Sequence, residues 1–217
     1  MHVKKPHELL INGLKDLGLT TSEIQINAFM TYLFELKKWN KVYNLTGLKE
    51  DRDIIVKHFF DSLLYLKVIP DGEVRIADIG SGAGFPGIPI KIIRPEIEIY
   101  LVEPSRKKSA FLRHVINHIG LKGIEVIEKN IEQIKVNNEL PELVDVAVTR
   151  ALFSIKDFLK KASHVVKHDG ILILNKGPKA LEEIKMLGDV CTKYEILKLA
   201  LPFSDIERFI VVISPLK

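Results

Sequence analysis

VRIADIGSGAGFPGIP, from Val74 to Pro89, is the stretch whose reading decides the fold. Val74, Ile76, Ala77 and Ile79 form a short apolar run ending in Asp78-Ile79-Gly80, the pattern of a buried strand in a parallel sheet. Gly80, Gly82 and Gly84 then alternate with small residues, so the backbone can turn sharply and let a ligand lie against it. From Gly87 the spacing of Ile88, Ile92 and Ile93 predicts a helix whose first N–H groups face whatever the glycines admit. Strand, glycine turn and helix make a cradle of the nucleotide-binding type.

Spacing decides between cradles. A dinucleotide fingerprint, GxGxxG, needs its third glycine where Phe85 stands; this chain reads G-x-G-x-G behind an acidic residue. That form resembles the first motif of the Rossmann-like S-adenosylmethionine methyltransferases.

Downstream of the cradle the pattern alternates. Strands are expected at 97–102, 124–127, 144–149 and 171–174, and two more at 194–199 and 209–213, the last pair forming an antiparallel edge. Helices lie between them: one capped by Ser105 and closed by Gly120, another opened by Ser154-x-x-Asp157 and followed by Gly170. The sum is an α/β fold, a seven-stranded doubly wound sheet over residues 71–217. Upstream, residues 1–70 read as a helical N-terminal extension. Leu9, Leu10, Leu14 and Leu17 form one stripe, Thr20 and Glu23 look like a capping box for the next helix, and a third helix is expected from Asp53 to Leu66. On that third helix His58, Asp61 and Ser62 share a face, which reads as structural hydrogen bonding because no nucleophile is near. Between the second and third helices KKWNKVYNLTGL mixes Trp39 and Tyr43 with lysines. It reads either as a helix end with aromatic anchors or as a surface for base stacking and phosphate contact.

In open parallel sheets ligands sit beyond the carboxyl ends of the strands, where strand order reverses. The first five strands each end in something chemically useful: the glycines, then Glu103, then Asn130-Ile131-Glu132, then Arg150, then Asn175-Lys176-Gly177. Glu103 follows the last glycine by about 20 residues, the separation at which an acid reaches ribose hydroxyls. Ile131 and Glu132 then fall beside an adenine, and Arg150 can hold a carboxylate or phosphate, or form a plain salt bridge across the strand ends.

These residues resemble one family closely, the bacterial 16S ribosomal RNA guanine-N7 methyltransferases, also called glucose-inhibited division protein B. The likeness runs over nearly the whole chain: KWNKVYNLT (38–46), His58 with Asp61-Ser62, DIGSGAGFPGIP (78–89), KKSAFL (107–112), Thr149-Arg150-Ala151, Lys176-Gly177 and Arg208. Pro104, where the family usually has a serine or small residue, and Thr149, in place of a common serine, depart from it. The resemblance implies a Rossmann-like class I fold and S-adenosylmethionine-dependent methylation of a guanine N7 in 16S ribosomal RNA or the 30S subunit. It also implies cofactor contacts at Gly80, Phe85, Ile131, Glu132 and Arg150, with Glu103 and Ser105 beside them and Gly82 and Gly84 in the turn. Asn44, Lys176 and Arg208 fall on the RNA side. No catalytic base is required, since guanine N7 already carries an in-plane lone pair, so positioning supplies the catalysis. Lys37, Lys38, Lys41, Arg106, Lys107 and Lys108 are the phosphate-binding candidates. Two readings stay open beside it: a methyltransferase of the same fold acting on a small molecule or protein, and a non-catalytic RNA or ribosome-assembly binder.

Composition sets the remaining bounds. The chain has 217 residues, 47% of them apolar, and 32 lysines and arginines against 28 acids give +4. That charge suits an anionic partner without identifying one. No apolar run approaches the roughly 18 residues of a membrane span, and MHVKKPHELL lacks the apolar centre of a signal peptide. Cys191 is the only cysteine, which excludes an internal disulfide and a cysteine-built metal site. A cytoplasmic monomer without a metal is expected.

Overall fold

The seven expected strands form one sheet in the order β3-β2-β1-β4-β5-β7-β6. The structure, a computed structural model, describes residues 5–186 and 193–214; Cys191 lies outside them. The strands are β1 Arg75–Ile79, β2 Glu98–Val102, β3 Ile124–Ile127, β4 Val144–Arg150, β5 Val166–Lys176, β6 Lys193–Ala200 and β7 Glu207–Ser214. The first five run parallel, and β7 is antiparallel to both β5 and β6. The chain winds outward from β1 through β2 to β3, then returns to β1's other side for β4 and β5. Its topological switch point therefore lies between β1 and β4.

The helices are α1 Pro6–Asp16, α2 Glu23–Tyr43, α3 Asp51–Ile54, α4 Asp61–Leu63, α5 Gly87–Ile93, α6 Arg106–Ile119, α7 Ile155–Ala162 and α8 Ala180–Lys185. Side chains alternate across the sheet with period two and define two apolar layers. Ile76, Ile99, Leu101, Val146 and Val148 pack with Leu10, Phe29, Phe59 and Phe111 of the N-terminal helices and α6. Ala77, Ile79, Val102, Ala147 and Leu172 pack with Phe158 of α7 and Ile184 of α8 on the opposite face.

Four local expectations are corrected. The capping box of α2 is Ser22 with Gln25, not Thr20 with Glu23, and the Gln25 amide also donates to the Ile92 and Ile93 carbonyls at the end of α5. Ser105 occupies the N-cap position of α6 without a side-chain cap bond. Gly170 sits inside β5 beside a bulge, where a Cβ would lie 2.7 Å from the Asp145 carbonyl, so glycine there marks a close backbone approach. The third helix is also not regular: Ile55–Phe60 is a π-helical turn between α3 and α4, and Leu64–Lys67 finishes as a 3-10 turn. Among the described residues no helix is long and apolar enough to cross a membrane.

Candidate functional site at the switch point

The carboxyl ends of β2, β1 and β4 lie side by side, and the turn after β1 connects them. Glu103, at the end of β2, is buried and turns its carboxylate onto that turn: Oε2 accepts from the Gly82 N–H at 2.8 Å and Oε1 from the Ser105 N–H at 2.9 Å. Arg150, at the end of β4, lies over the Phe85 ring at 5.0 Å. Thr149 donates its hydroxyl to the Ile79 carbonyl at 2.9 Å, tying β4 to β1 beside the crevice.

The turn itself needs glycine. Gly80 has φ +73°, and a Cβ there would meet Leu152 Cδ2 at 2.2 Å; Gly82 has φ +60°, with nothing closer to a Cβ than the Gly80 carbonyl at 3.9 Å. A side chain is thus disfavoured at both glycines by backbone strain, and at Gly80 the space a Cβ would take is already filled by the Leu152 side chain. Beneath the turn, Asp78 is fully buried, one carboxylate oxygen accepting from the Gly87 N–H at 2.8 Å and the other unpartnered. Burial, with Glu103 as a lesser contributor, raises its pKa to about 7, although the Gly87 N–H and Arg150 pull the other way. The Ser81 hydroxyl is likewise buried without a partner.

On the β4 side the polar groups form a network. Arg150 donates to the Lys57 carbonyl at 3.2 Å and to His58 Nδ1 at 2.9 Å. A guanidinium can only donate, so Nδ1 is the acceptor and the His58 proton sits on Nε2, which donates to Thr46 Oγ1 at 2.7 Å. Burial, then the Arg150 charge, lowers the His58 pKa to about 3, so the ring stays neutral while stacked on Phe85 at 4.4 Å. Buried Asp61 accepts from Arg208 Nε at 2.8 Å and Asn175 Nδ2 at 2.9 Å on one oxygen, and its other oxygen lies 3.5 Å from Arg150. Two cations share one carboxylate, and Asn175 Oδ1 is left without a partner.

The remaining expected residues lie as follows. Ile131 is buried in the apolar layer that holds Ile79 and Val102. Glu132, beside it, is exposed and paired with Lys161, a bond that lowers its pKa. The Phe85 ring points into the helical layer against Tyr32 and His58, so its backbone is the part beside the turn. Lys176 donates to the Phe153 carbonyl and Glu183 at 2.7 and 2.9 Å. Asn44 ends α2 in the left-handed conformation. Trp39 packs on Phe111 and His114, whereas Tyr43 of the same segment stays exposed; Lys37 pairs with Asp51, and Lys38 lies 3.6 Å from Glu35. Sequence reasoning missed Asp61 and His58 as holders of Arg150, and Ser81 and Leu152 at the turn. The sharing of a helix face was the available signal for the first pair, and Leu152 gave none.

A seven-stranded sheet parallel but for its antiparallel β7, with its switch point at a glycine turn and an acid at the end of β2 reaching that turn, is the architecture of a class I S-adenosylmethionine-dependent methyltransferase. The residues fit that cofactor: glycines held at positive φ in the turn, a carboxylate bonded to that turn, and the Asp78 and Ser81 oxygens buried beside it without partners. Solved structures agree on the fold. A methyltransferase from Pyrococcus furiosus matches with a TM-score of 0.62 at 14% identity, covering 88% of this chain and 99% of that one. A predicted O-methyltransferase from Agrobacterium tumefaciens matches at 0.56 and 23%, covering 73% and 80%. The particular family follows from sequence: residues 25–211 match the model of rRNA small subunit methyltransferase G, and the chain belongs to that family. Ribosomal RNA small subunit methyltransferase G of Acetivibrio thermocellus is 38% identical over 97% of this chain and 88% of its own. Its namesake from Neisseria meningitidis serogroup B is 36% identical over 95% and 97%.

Proposed function

We propose that this chain transfers a methyl group from S-adenosylmethionine to N7 of a guanine in 16S ribosomal RNA, on the naked RNA or the assembled 30S subunit, as a cytoplasmic monomer. When bound, the cofactor supplies an electrophilic methyl on a sulfonium. The chain's own residues hold and orient. Gly80, Gly82 and Gly84 with the Phe85 backbone form the floor, Glu103 is the acceptor for ribose hydroxyls with Ser105 beside it, and Ile131 and Glu132 flank the adenine. Arg150 frames the crevice from β4, while Asn44, Lys176 and Arg208 face the RNA. Residues 1–70 serve as the helical extension that carries Asn44 to the methyltransferase part, 71–217.

The observation that carries this reading is the Glu103–Gly82 bond, which closes an acid onto the glycine turn at the switch point. The base-free chemistry has its own support. His58, the imidazole stacked against Phe85, has both ring nitrogens engaged and a pKa near 3. It is committed to holding Arg150, and a nucleophile with a free in-plane lone pair asks nothing more of it than alignment. Asp61, shared with Arg208, offsets part of Arg150's charge, which lessens repulsion of the positive charge that develops on the guanine ring. The test is transfer of labelled methyl to 16S RNA and to 30S particles, followed by cleavage selective for 7-methylguanine. Label at a cleavable guanine supports the reading, and label only elsewhere overturns it.

A further inference from the structure

Beside the crevice, a cavity of about 620 Å³ opens between the C-terminal turns of α2 and the loop that follows, lined by Lys37, Asn40, Lys41, Asn44, Thr46, Gly47, Leu48 and Lys49. None of these residues is acidic. By contrast, the cavity of about 440 Å³ at the opposite end of the strands mixes Glu73, Glu96, Glu98 and Asp145 with its lysines, so its charges are internally matched. Of the three lysines in the first cavity only Lys37 is paired, to Asp51; Lys41 and Lys49 are exposed and have no acidic partner among the described residues. Asn40 builds the wall, its Oδ1 accepting from the Thr46 N–H at 2.9 Å and its Nδ2 donating to the Leu48 carbonyl at 3.4 Å. Thr46 lines the cavity and accepts from His58 Nε2, whose other nitrogen accepts from Arg150. One imidazole ring therefore separates this lysine-lined space from the end of β4.

We propose that this cavity binds a backbone phosphate of the RNA next to the target guanosine, with Lys41 and Lys49 as its cationic contacts. The proposal rests on the RNA reading of the crevice: a base placed there puts its flanking phosphate within reach of the lysines, and two unmatched ammonium groups over an acid-free wall are the recognition chemistry for it. Phosphate contacts fix register without reading sequence. The cavity thus orients the strand while the crevice selects the base.

The test uses the full chain with 30S particles and a fluorescent 16S RNA fragment, titrated over a range of salt. Lys41→Ala with Lys49→Ala is expected to flatten the log–log salt dependence of RNA binding by about 1–2 and to raise KM for 30S particles by about tenfold or more. The calorimetric S-adenosylmethionine affinity should stay unchanged. Lys156→Ala with Lys160→Ala removes the same charge from α7, on the other face of the sheet, and should leave the salt slope within error. Equal effects from the two pairs, or none from the first, overturn the proposal. So does stronger competition by polyglutamate than by polyuridylate, which would make the cavity a site for acidic protein. Wild-type protein that binds S-adenosylmethionine but transfers no label to RNA removes the functional reading as well, an outcome seen before any variant is compared.

Discussion

Replacing Asp78 with asparagine changes stability in a way that pH exposes. Folded Asp78 titrates at about 7 and its unfolded counterpart at 3.8, so between those values the folded chain retains a proton that the unfolded chain has released. Stability linked to this carboxyl is therefore full below the unfolded value and is lost as pH rises through the folded one. The interval from 3.8 to about 7, at about 1.4 kcal/mol for each tenfold, gives a loss of at most about 4 kcal/mol above neutrality. Asp78→Asn keeps an acceptor for the Gly87 N–H and abolishes the titration. Urea denaturation of both proteins from about pH 4 to pH 8 then gives a difference, variant minus wild type, that climbs by up to about 4 kcal/mol and levels off past neutrality. A constant cost of the new amide shifts that curve without changing its shape. His58 titrates in the opposite sense, its pKa lowered from 6.5 to about 3, so its contribution is lost as pH falls through that range. It is common to both proteins and cancels. A difference independent of pH would refute the assignment of a buried, proton-retaining carboxyl beneath the glycine turn.

Other outcomes follow from the same geometry. S-adenosylmethionine at 100 times its dissociation constant should stabilise the protein by about 2.7 kcal/mol. Gly82→Val, forced to φ +60° with its side chain in the open space beside the turn, should abolish that shift in a thermal scan and cost about 1–2 kcal/mol of strain; a normal shift would remove the turn from the site. Asp61→Asn takes the carboxylate from between Arg150 and Arg208 and should cost about 3–5 kcal/mol by urea denaturation, a loss under about 1 kcal/mol contradicting the network. Thr149→Val should cost about 1–3 kcal/mol through the lost bond to the Ile79 carbonyl, whereas Thr149→Ser should be near neutral; equal costs would show that the methyl group matters more than the hydroxyl.

The strands were legible because their side chains alternate or run apolar between turn residues; the order β3-β2-β1-β4-β5-β7-β6 was not, because it depends on which side of β1 the chain returns to. The polar residues at five strand ends were legible for the same reason: a parallel sheet puts every such end on one edge. What they bond to was not. Arg150 reaches His58 and Asp61, 92 and 89 positions earlier: their shared helix face was visible in the sequence, but the partner it meets so far along the chain was not. The capping box moved by two residues because Gln25 satisfies three partners at once, one at its own N-cap and two at the end of α5, a tertiary reward that local pattern cannot see. Trp39 turned inward because α6 supplies Phe111 and His114 to receive it.

The most direct test of the switch-point site is a crystal structure of this chain grown with S-adenosylhomocysteine. The account predicts the ribose hydroxyls on Glu103, the chain of the amino acid over the Gly80–Gly84 turn and the adenine beside Ile131. Ligand density away from that turn, or a Glu103 carboxylate still closed on Gly82 with the ribose elsewhere, would contradict it.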